Sequence, residues 1–361
     1  MKIRLRLAHF VFALLAGTPA AASAQSAVKW ANALRQPAEW YASPAAAELA
    51  ASVLRYQMPS GGWPKNTDFS RPPSGQFLAD IAAGKDDATI DNRGTTVPLR
   101  FLARIITATS AAPDPAHLAA FQKGFDYLLD SQYPSGGWPQ FFPLRKGYYT
   151  HITYNDGAMV NVLDVLRETA RGRPPFAFVD EARRTRAAAA VEKGVACILK
   201  TQVRQNDTLT AWCAQHDETT FEPAWARNFE PPSLSGAESV GVATFLLGIE
   251  KPSPEVIAAV EGAAAWFAKV RIPNLRLETF TDAEGKQDRR TVPDPDGPGL
   301  WARFYELKTD RPLFLGRDRE FHYDYMLVER ERRGGYVYYG TWPVEFLTKD
   351  YPAWRQKNHL P

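Results

Sequence analysis

A nine-residue phrase occurs twice in the chain, as QMPSGGWPK at Gln57–Lys65 and as QYPSGGWPQ at Gln132–Gln140, 75 residues apart. Each copy closes a stretch whose apolar residues recur at helical spacing. A weaker third copy begins 70 residues further on, with a helical stretch ending Thr201-Gln202, then a turn, then Trp212. Self-similarity at this period means repeated supersecondary units, none of which can bury its apolar face alone. The repeat predicts helical hairpins arranged in a ring. Locally, each copy reads as a helix C-cap in which Gly supplies the left-handed turn and Trp pins it. Either way, the loops gather at one end.

Helical periodicity predicts further helices over 44–57, 97–106, 115–131, 156–170, 180–201, 235–249 and 254–270. Ser253-Pro254-Glu255 opens the last of these as an N-cap followed by Pro at the first helical position. Ser235 and Glu238 form an S-x-x-E capping box ahead of Val240–Leu247. Strand signals come late, at Leu275–Phe280 and Gly335–Tyr339, with Thr291–Pro298 as a turn-rich link. The expected fold is mainly α, an (α/α) toroid of helical hairpins over 25–270. A smaller part with loops and strands, 271–361, is expected to pack on it and complete one module.

The formal charge of +3 belongs to the N-terminus. Lys2, Arg4 and Arg6 precede the apolar run Leu7–Leu15, and Ala22-Ser23-Ala24 supplies small residues in an A-x-A pattern. Residues 1–24 therefore read as a secretory signal peptide, too short for a membrane span of ~20 apolar residues. Without those three charges, 40 basic residues face 40 acidic ones, and no general basic field argues for nucleic acid. No later segment is apolar enough to span a bilayer. A secreted monomer, periplasmic or extracellular, is expected. In such a compartment Cys197 and Cys213 are either a disulfide, worth roughly 3 kcal/mol for a loop of that length, or two buried thiols.

Polar and aromatic residues concentrate in the loops. Lys65-Asn66 follows the first Trp-Pro, TIDNRGT carries Asp91 and Asn92, and HITYND carries His151, Asn155 and Asp156. Gln215, His216 and Asp217 follow in WCAQHD, then Arg227 and Glu230, Arg303 and Glu306, and Arg317-Asp318. Asp and Asn before a helix are often N-caps. Their recurrence before two hairpins instead suggests a shared site, and two carboxylates with amide oxygens nearby suit a hard cation such as calcium. His216 fits a structural, helix-flanking role better than acid–base work. Zinc signatures, a nucleophile elbow, a Walker loop and a dinucleotide fingerprint are all absent. Beyond the signal segment there are 27 Arg but only 13 Lys, and Arg is preferred where carboxylates are gripped bidentately, although a high-GC genome gives the same bias. Arginine, carboxylates and aromatics together fit an acidic polysaccharide.

The ordered set GGWPKN, TIDN, SQYPSGGWPQFFP, HITYND, WCAQHD, PPSLSGAES, LWARFYE, GRD and GGYVYYGTWP resembles the catalytic module of family 10 pectate lyases, from about Trp40 to Trp342. The resemblance implies a helical (α/α)-type barrel and calcium-dependent anti-β-elimination of polygalacturonate. It implies Asp91 and Asp156 as acidic residues around calcium, Arg317 as Brønsted base and Arg227 as its carboxylate-binding partner. Lys65, Asn66, Asn92, His151, Asn155, Arg303 and Tyr339 are then expected to bind substrate. Arg303 is the alternative base. A guanidine with a pKa above ~12 needs a field of neighbouring cations to lose its proton. Two positions depart from the family pattern: Arg319 stands where a Gly is expected after Arg317-Asp318, and Arg93-Gly94 occupies a slot expected to hold small residues. Three rivals remain. A uronate hydrolase would use an acid–base carboxylate pair without metal. A pectin-binding protein would lack the base. A terpenoid cyclase shares the Q-x-x-x-G-x-W repeat, but D-x-D-D and a membrane-docking segment are missing.

Overall fold

The repeated Gln and Trp explain the architecture in the computed structural model, which describes residues 28–360; the segment read as a signal peptide lies outside them. Helices α1 (Pro44–Arg55), α2 (Gly75–Ala82), α3 (Thr96–Ala108), α4 (Pro115–Asp130), α5 (Ala158–Ala170), α6 (Glu181–Thr201), α7 (Glu238–Leu247) and α8 (Pro254–Lys269) follow in order. The outer helices α1, α4, α6 and α8 pack in sequence, and α3, α5 and α7 form the inner layer against them. The result is an open toroid of stacked hairpins, with no closed barrel among the described residues.

At the end of each outer helix a buried Trp donates its indole N–H to a last-turn carbonyl: Trp63 to Val53 (2.9 Å), Trp138 to Leu128 (2.8 Å), Trp212 to Ile198 (2.8 Å) and, beyond the repeat, Trp301 to Phe267 (2.8 Å). These last-turn carbonyls are among those a helix end leaves short of donors, and the indole joins the cap groups that reach three of them, Tyr56 N–H at Val53, the Ser131 hydroxyl at Leu128 and Gln202 N–H at Ile198. The Gln amide does two jobs. Gln57, Gln132 and Gln202 each donate both to their own turn and to a carbonyl of the next outer helix, at Ala120, Ala190 and Ala259 respectively. At Gly136 (φ 95°) a Cβ would stand 2.1 Å from the Lys193 carbonyl oxygen, so the turn can approach the neighbouring helix only without a side chain. The repeat is thus a C-cap, as its local reading has it, and also the staple between consecutive hairpins.

The predicted helices form with ends within a few residues of expectation. Helix α2 has no sequence counterpart above: Ser74 caps it, but it buries no residue, so no core face marked it. Two late segments differ. Gln287–Pro293, overlapping the expected link, is a strand paired antiparallel with Leu275–Thr281, held in part by the buried Asp288, which accepts from Arg333 on the following helix Arg330–Gly335. Of Gly335–Tyr339 only Tyr339 enters a ladder, Tyr339–Gly340 against Trp301–Ala302, because Gly335 ends that helix. Cys197 and Cys213 are free and buried, and burial pushes the Cys197 thiol up to about 12. No described helix is long and apolar enough to cross a membrane.

Candidate active site

Two-residue ladders bring the scattered motifs to one end of the toroid. Ile152–Thr153 of HITYND pairs with Gln215–His216 of WCAQHD, Leu234–Ser235 with Phe304–Tyr305, and a bridge joins Thr89 to Phe141. The turns before α3 and α5 lie side by side. Both run through left-handed backbone, Asn92 and Arg93 (φ 46° and 61°) in the first, Asp156 and Gly157 (φ 51° and 70°) in the second. The register therefore matches Asn92 to Asp156 and the buried Asp91 to the buried Asn155, rather than Asp91 to Asp156. No helix-capping hydrogen bond is made by either aspartate's side chain, which removes the N-cap reading.

Asp91 is held by both copies of the repeat. Lys65 Nζ (2.5 Å) and Gln140 Nε2 (2.6 Å), the final residues of the two phrases, donate to the same oxygen, Oδ2, while the Asn92 N–H donates to Oδ1 (2.9 Å). Gln140 is a site residue that the sequence reading passed over, and its alignment with Lys65 was the available signal. Its N–H donates to the Tyr149 carbonyl, and Tyr148 and Tyr149 line a cleft of about 440 Å³ with Arg227, Asn228, Phe229 and Arg317. Across that cleft Arg227 donates twice to the buried Glu230, Nε to Oε2 (2.8 Å) and Nη2 to Oε1 (2.5 Å), and the Tyr336 hydroxyl donates to the same Oε1 (2.9 Å). Three guanidiniums, Arg227, Arg303 and Arg332, pack over the Tyr336 ring. Arg303 in turn reaches the buried Glu238 and Asp156 (3.3 Å), the latter in the turn before α5.

The electrostatics follow from these pairs. Glu230 holds the Arg227 guanidinium well above its ordinary value, and Glu238 does the same for Arg303 against the opposing effect of burial. Arg317 is different: its side chain is 64% exposed, and it pairs with Glu331, itself 58% exposed, an ion pair of the kind worth ~0–1 kcal/mol. The capping-box Glu238 points to the Ser235 hydroxyl and Arg303, so only the Ser235 half of the box forms, its oxygen accepting from the Ala237 and Glu238 N–H groups.

Other expected residues are placed as follows. Asn66 accepts from the Asn92 side chain (3.2 Å), Asn155 donates to Asp156 (2.9 Å), and His151 Nδ1 meets Glu218 (3.1 Å). Tyr339 does not line that cleft: it is buried against Phe314 and Tyr325, while Tyr336, also buried, carries the guanidiniums on its ring. Arg319 adopts φ 67°, which explains why a Gly suits that slot. His216 is structural. Its Nε2 accepts from the Cys213 N–H (3.0 Å), so its Nδ1 donates to the Phe221 carbonyl (2.8 Å). Burial, the largest cause, pushes its pKa down to about 4. Because the unfolded ring titrates near 6.5, this histidine stabilises the fold above that pH, and about 3 kcal/mol of stability is lost as pH falls from 6.5 through 4. A ring titration followed by NMR is expected to show half-protonation of His216 near pH 4, and a midpoint near 6.5 would contradict the burial argument.

The comparisons with known proteins agree with this geometry. A family model described as pectic acid lyase matches residues 57–347. A family 10 polysaccharide lyase from Cellvibrio cellulosa superposes with a TM-score of 0.75 at 35% identity, covering 91% of this chain and 94% of that one. A variant of that enzyme with one aspartate replaced by alanine, in complex with trigalacturonic acid, superposes with a TM-score of 0.74 at 35% identity over 89% and 95%. No curated protein sequence matches. The chain belongs to the pectic acid lyase family, and within it to the family 10 polysaccharide lyases.

Proposed function

We propose that the chain is an exported, monomeric pectate lyase that cleaves polygalacturonate by calcium-assisted anti-β-elimination, leaving a 4,5-unsaturated sugar at the new end. The observation that carries this reading is the set of paired cations and carboxylates gathered at one end of the toroid, Lys65 with Asp91, Arg227 with Glu230, and Arg303 with Glu238 and Asp156. Cationic side chains there match the substrate's carboxylates, and the solved relative with trigalacturonic acid supports a uronate ligand.

The donors fit a hard cation. Asp156, 42% exposed, offers a carboxylate with Asn155 beside it, and the amide oxygen of Gln140, beside Asp91, is buried without a donor. Asp91 and Asp156 would hold the ion, although among the described residues neither joins a cluster of three His, Cys, Asp or Glu ligand atoms; the clusters found are His151–Asp217–Glu218 and Asp318–Glu320–His322. When bound, calcium would neutralise the substrate carboxylate beside carbon 5 and lower the cost of its enolate-like charge.

The chain's own residues do the rest. Lys65, 33% exposed, can offer its ammonium to the substrate while holding Asp91 in place. We assign the base to Arg227 and carboxylate binding to Arg317, the reverse of what the motif order implies. Supporting this, Arg227 is fixed by two hydrogen bonds and two aromatic faces, with Arg303 and Arg332 as cationic neighbours on the Tyr336 ring. Arg317 has one loose surface pair. Proton abstraction rewards a group already held in position. Incubation of the protein with polygalacturonate, with calcium and then with chelator, tests the function. Ultraviolet absorbance of the unsaturated product is expected only with calcium. New reducing ends without absorbance would mean hydrolysis, and binding without either would mean a binding protein.

A further inference from the structure

One cleft runs away from the catalytic residues rather than into them. It encloses about 670 Å³, and its lining passes from Asn66, Asn92 and Arg93 to Lys29 and Arg71. Asn92 is the residue next to Asp91, so the cleft opens from the cation-binding turn itself. Three cationic side chains line it, Lys29, Arg71 and Arg93, against one carboxylate, Asp68, which already meets Arg71 at 3.6 Å and accepts from Ser70. Among the described residues Lys29 and Arg93 make no ion pair, and residues 1–27 contain no Asp or Glu that could supply one.

Arg93 is the informative member. It sits at φ 61°, a left-handed conformation that disfavours any residue with a Cβ, directly after Asn92 at φ 46°. The turn before α5 repeats this backbone, and there the matching residue is Gly157 at φ 70°. The chain therefore solves the same turn once with the comfortable residue and once with a strained, exposed arginine whose guanidinium lines the cleft. Packing does not explain it, since the side chain is exposed and, among the described residues, makes no hydrogen bond.

We propose that Arg93, with Lys29 and Arg71, forms a distal subsite that binds the carboxylate of a galacturonate unit remote from the bond being cleaved, so that the enzyme favours long chains over trimers. The proposal rests on the pectate-lyase reading above. A uronate polymer carries one carboxylate per sugar, and a cation-lined cleft continuous with the site is complementary to its extension. Binding energy from such a remote unit acts on KM where ground and transition states gain equally.

The test compares KM for trigalacturonate and polygalacturonate in wild type and in Arg93→Gly, which copies Gly157 and so preserves the turn. Wild type is expected to show a lower KM for the polymer, and Arg93→Gly is expected to shrink the trimer-to-polymer KM ratio about fivefold, as one solvated charge pair allows. The effect should fade at high salt. An unchanged ratio in Arg93→Gly, with wild type active, overturns the subsite while leaving the lyase intact. Absence of the unsaturated product from wild type overturns the lyase reading instead.

Discussion

Arg227→Ala should lower kcat on polygalacturonate by about a thousandfold, within the 10²–10⁴ range that a positioned acid–base group contributes. Arg317→Ala should instead raise KM, with kcat changed only a fewfold. The contrast follows from how the two side chains are held. Arg227 is clamped by Glu230 and packed on Phe229 and Tyr336, whereas Arg317 extends from a surface loop to Glu331. The Glu230 pair also raises the Arg227 pKa, so the resting protein keeps this guanidinium charged at neutral pH. Only the deprotonated form can take a proton, and its fraction grows tenfold with each pH unit below the pKa. kcat/KM should accordingly climb with pH on the alkaline side for as long as the fold survives, and a flat profile there would remove Arg227 from the role. Steady-state kinetics of the two variants across pH decide the assignment. A thousandfold kcat loss in Arg317→Ala with only a KM effect in Arg227→Ala would restore the motif-based order.

Trp138→Ala is expected to destabilise the protein by about 3–5 kcal/mol, the range for truncating a buried large aromatic. Trp138 is fully buried, its ring lies near Gly194 of α6, and its N–H satisfies the Leu128 carbonyl at the end of α4. The substitution thus opens a cavity between two hairpins and leaves the Leu128 carbonyl with only the longer bond from the Ser131 hydroxyl (3.3 Å). Denaturant unfolding reads the effect directly. Trp225→Ala, at a position 43% exposed, serves as the comparison and should change stability by less than about 0.5 kcal/mol. Equal effects of the two substitutions would mean that the repeat does not staple the hairpins.

The toroid was legible because the repeat encodes it. Helical periodicity located α1 and α3–α8, and the Gln and Trp of each copy proved to be the hydrogen-bonding groups that join one hairpin to the next. The site was legible as a set of motifs but not in its pairing. Two-residue ladders such as Ile152–Thr153 with Gln215–His216 are too short to show alternation, yet they decide which loops meet. The shift that makes Asn92, not Asp91, the counterpart of Asp156 depends on backbone dihedrals at Arg93 and Gly157. Tyr339 and Tyr336 lie three residues apart in one aromatic run and both are buried, and only their three-dimensional neighbours show which of them carries the arginines. Gln140 could have been found, since the repeat aligns it with Lys65.

Cleavage of polygalacturonate in oxygen-labelled water tests the central claim most directly. Elimination breaks the glycosidic bond without adding water, so the products analysed by mass spectrometry should carry an unsaturated end and no incorporated label beyond ordinary exchange at the reducing end. Hydrolysis would add one molecule of water for every bond cut and leave every product saturated. A product lighter by one water and unsaturated at its new end is the result predicted here, and a saturated one that has gained water would contradict it.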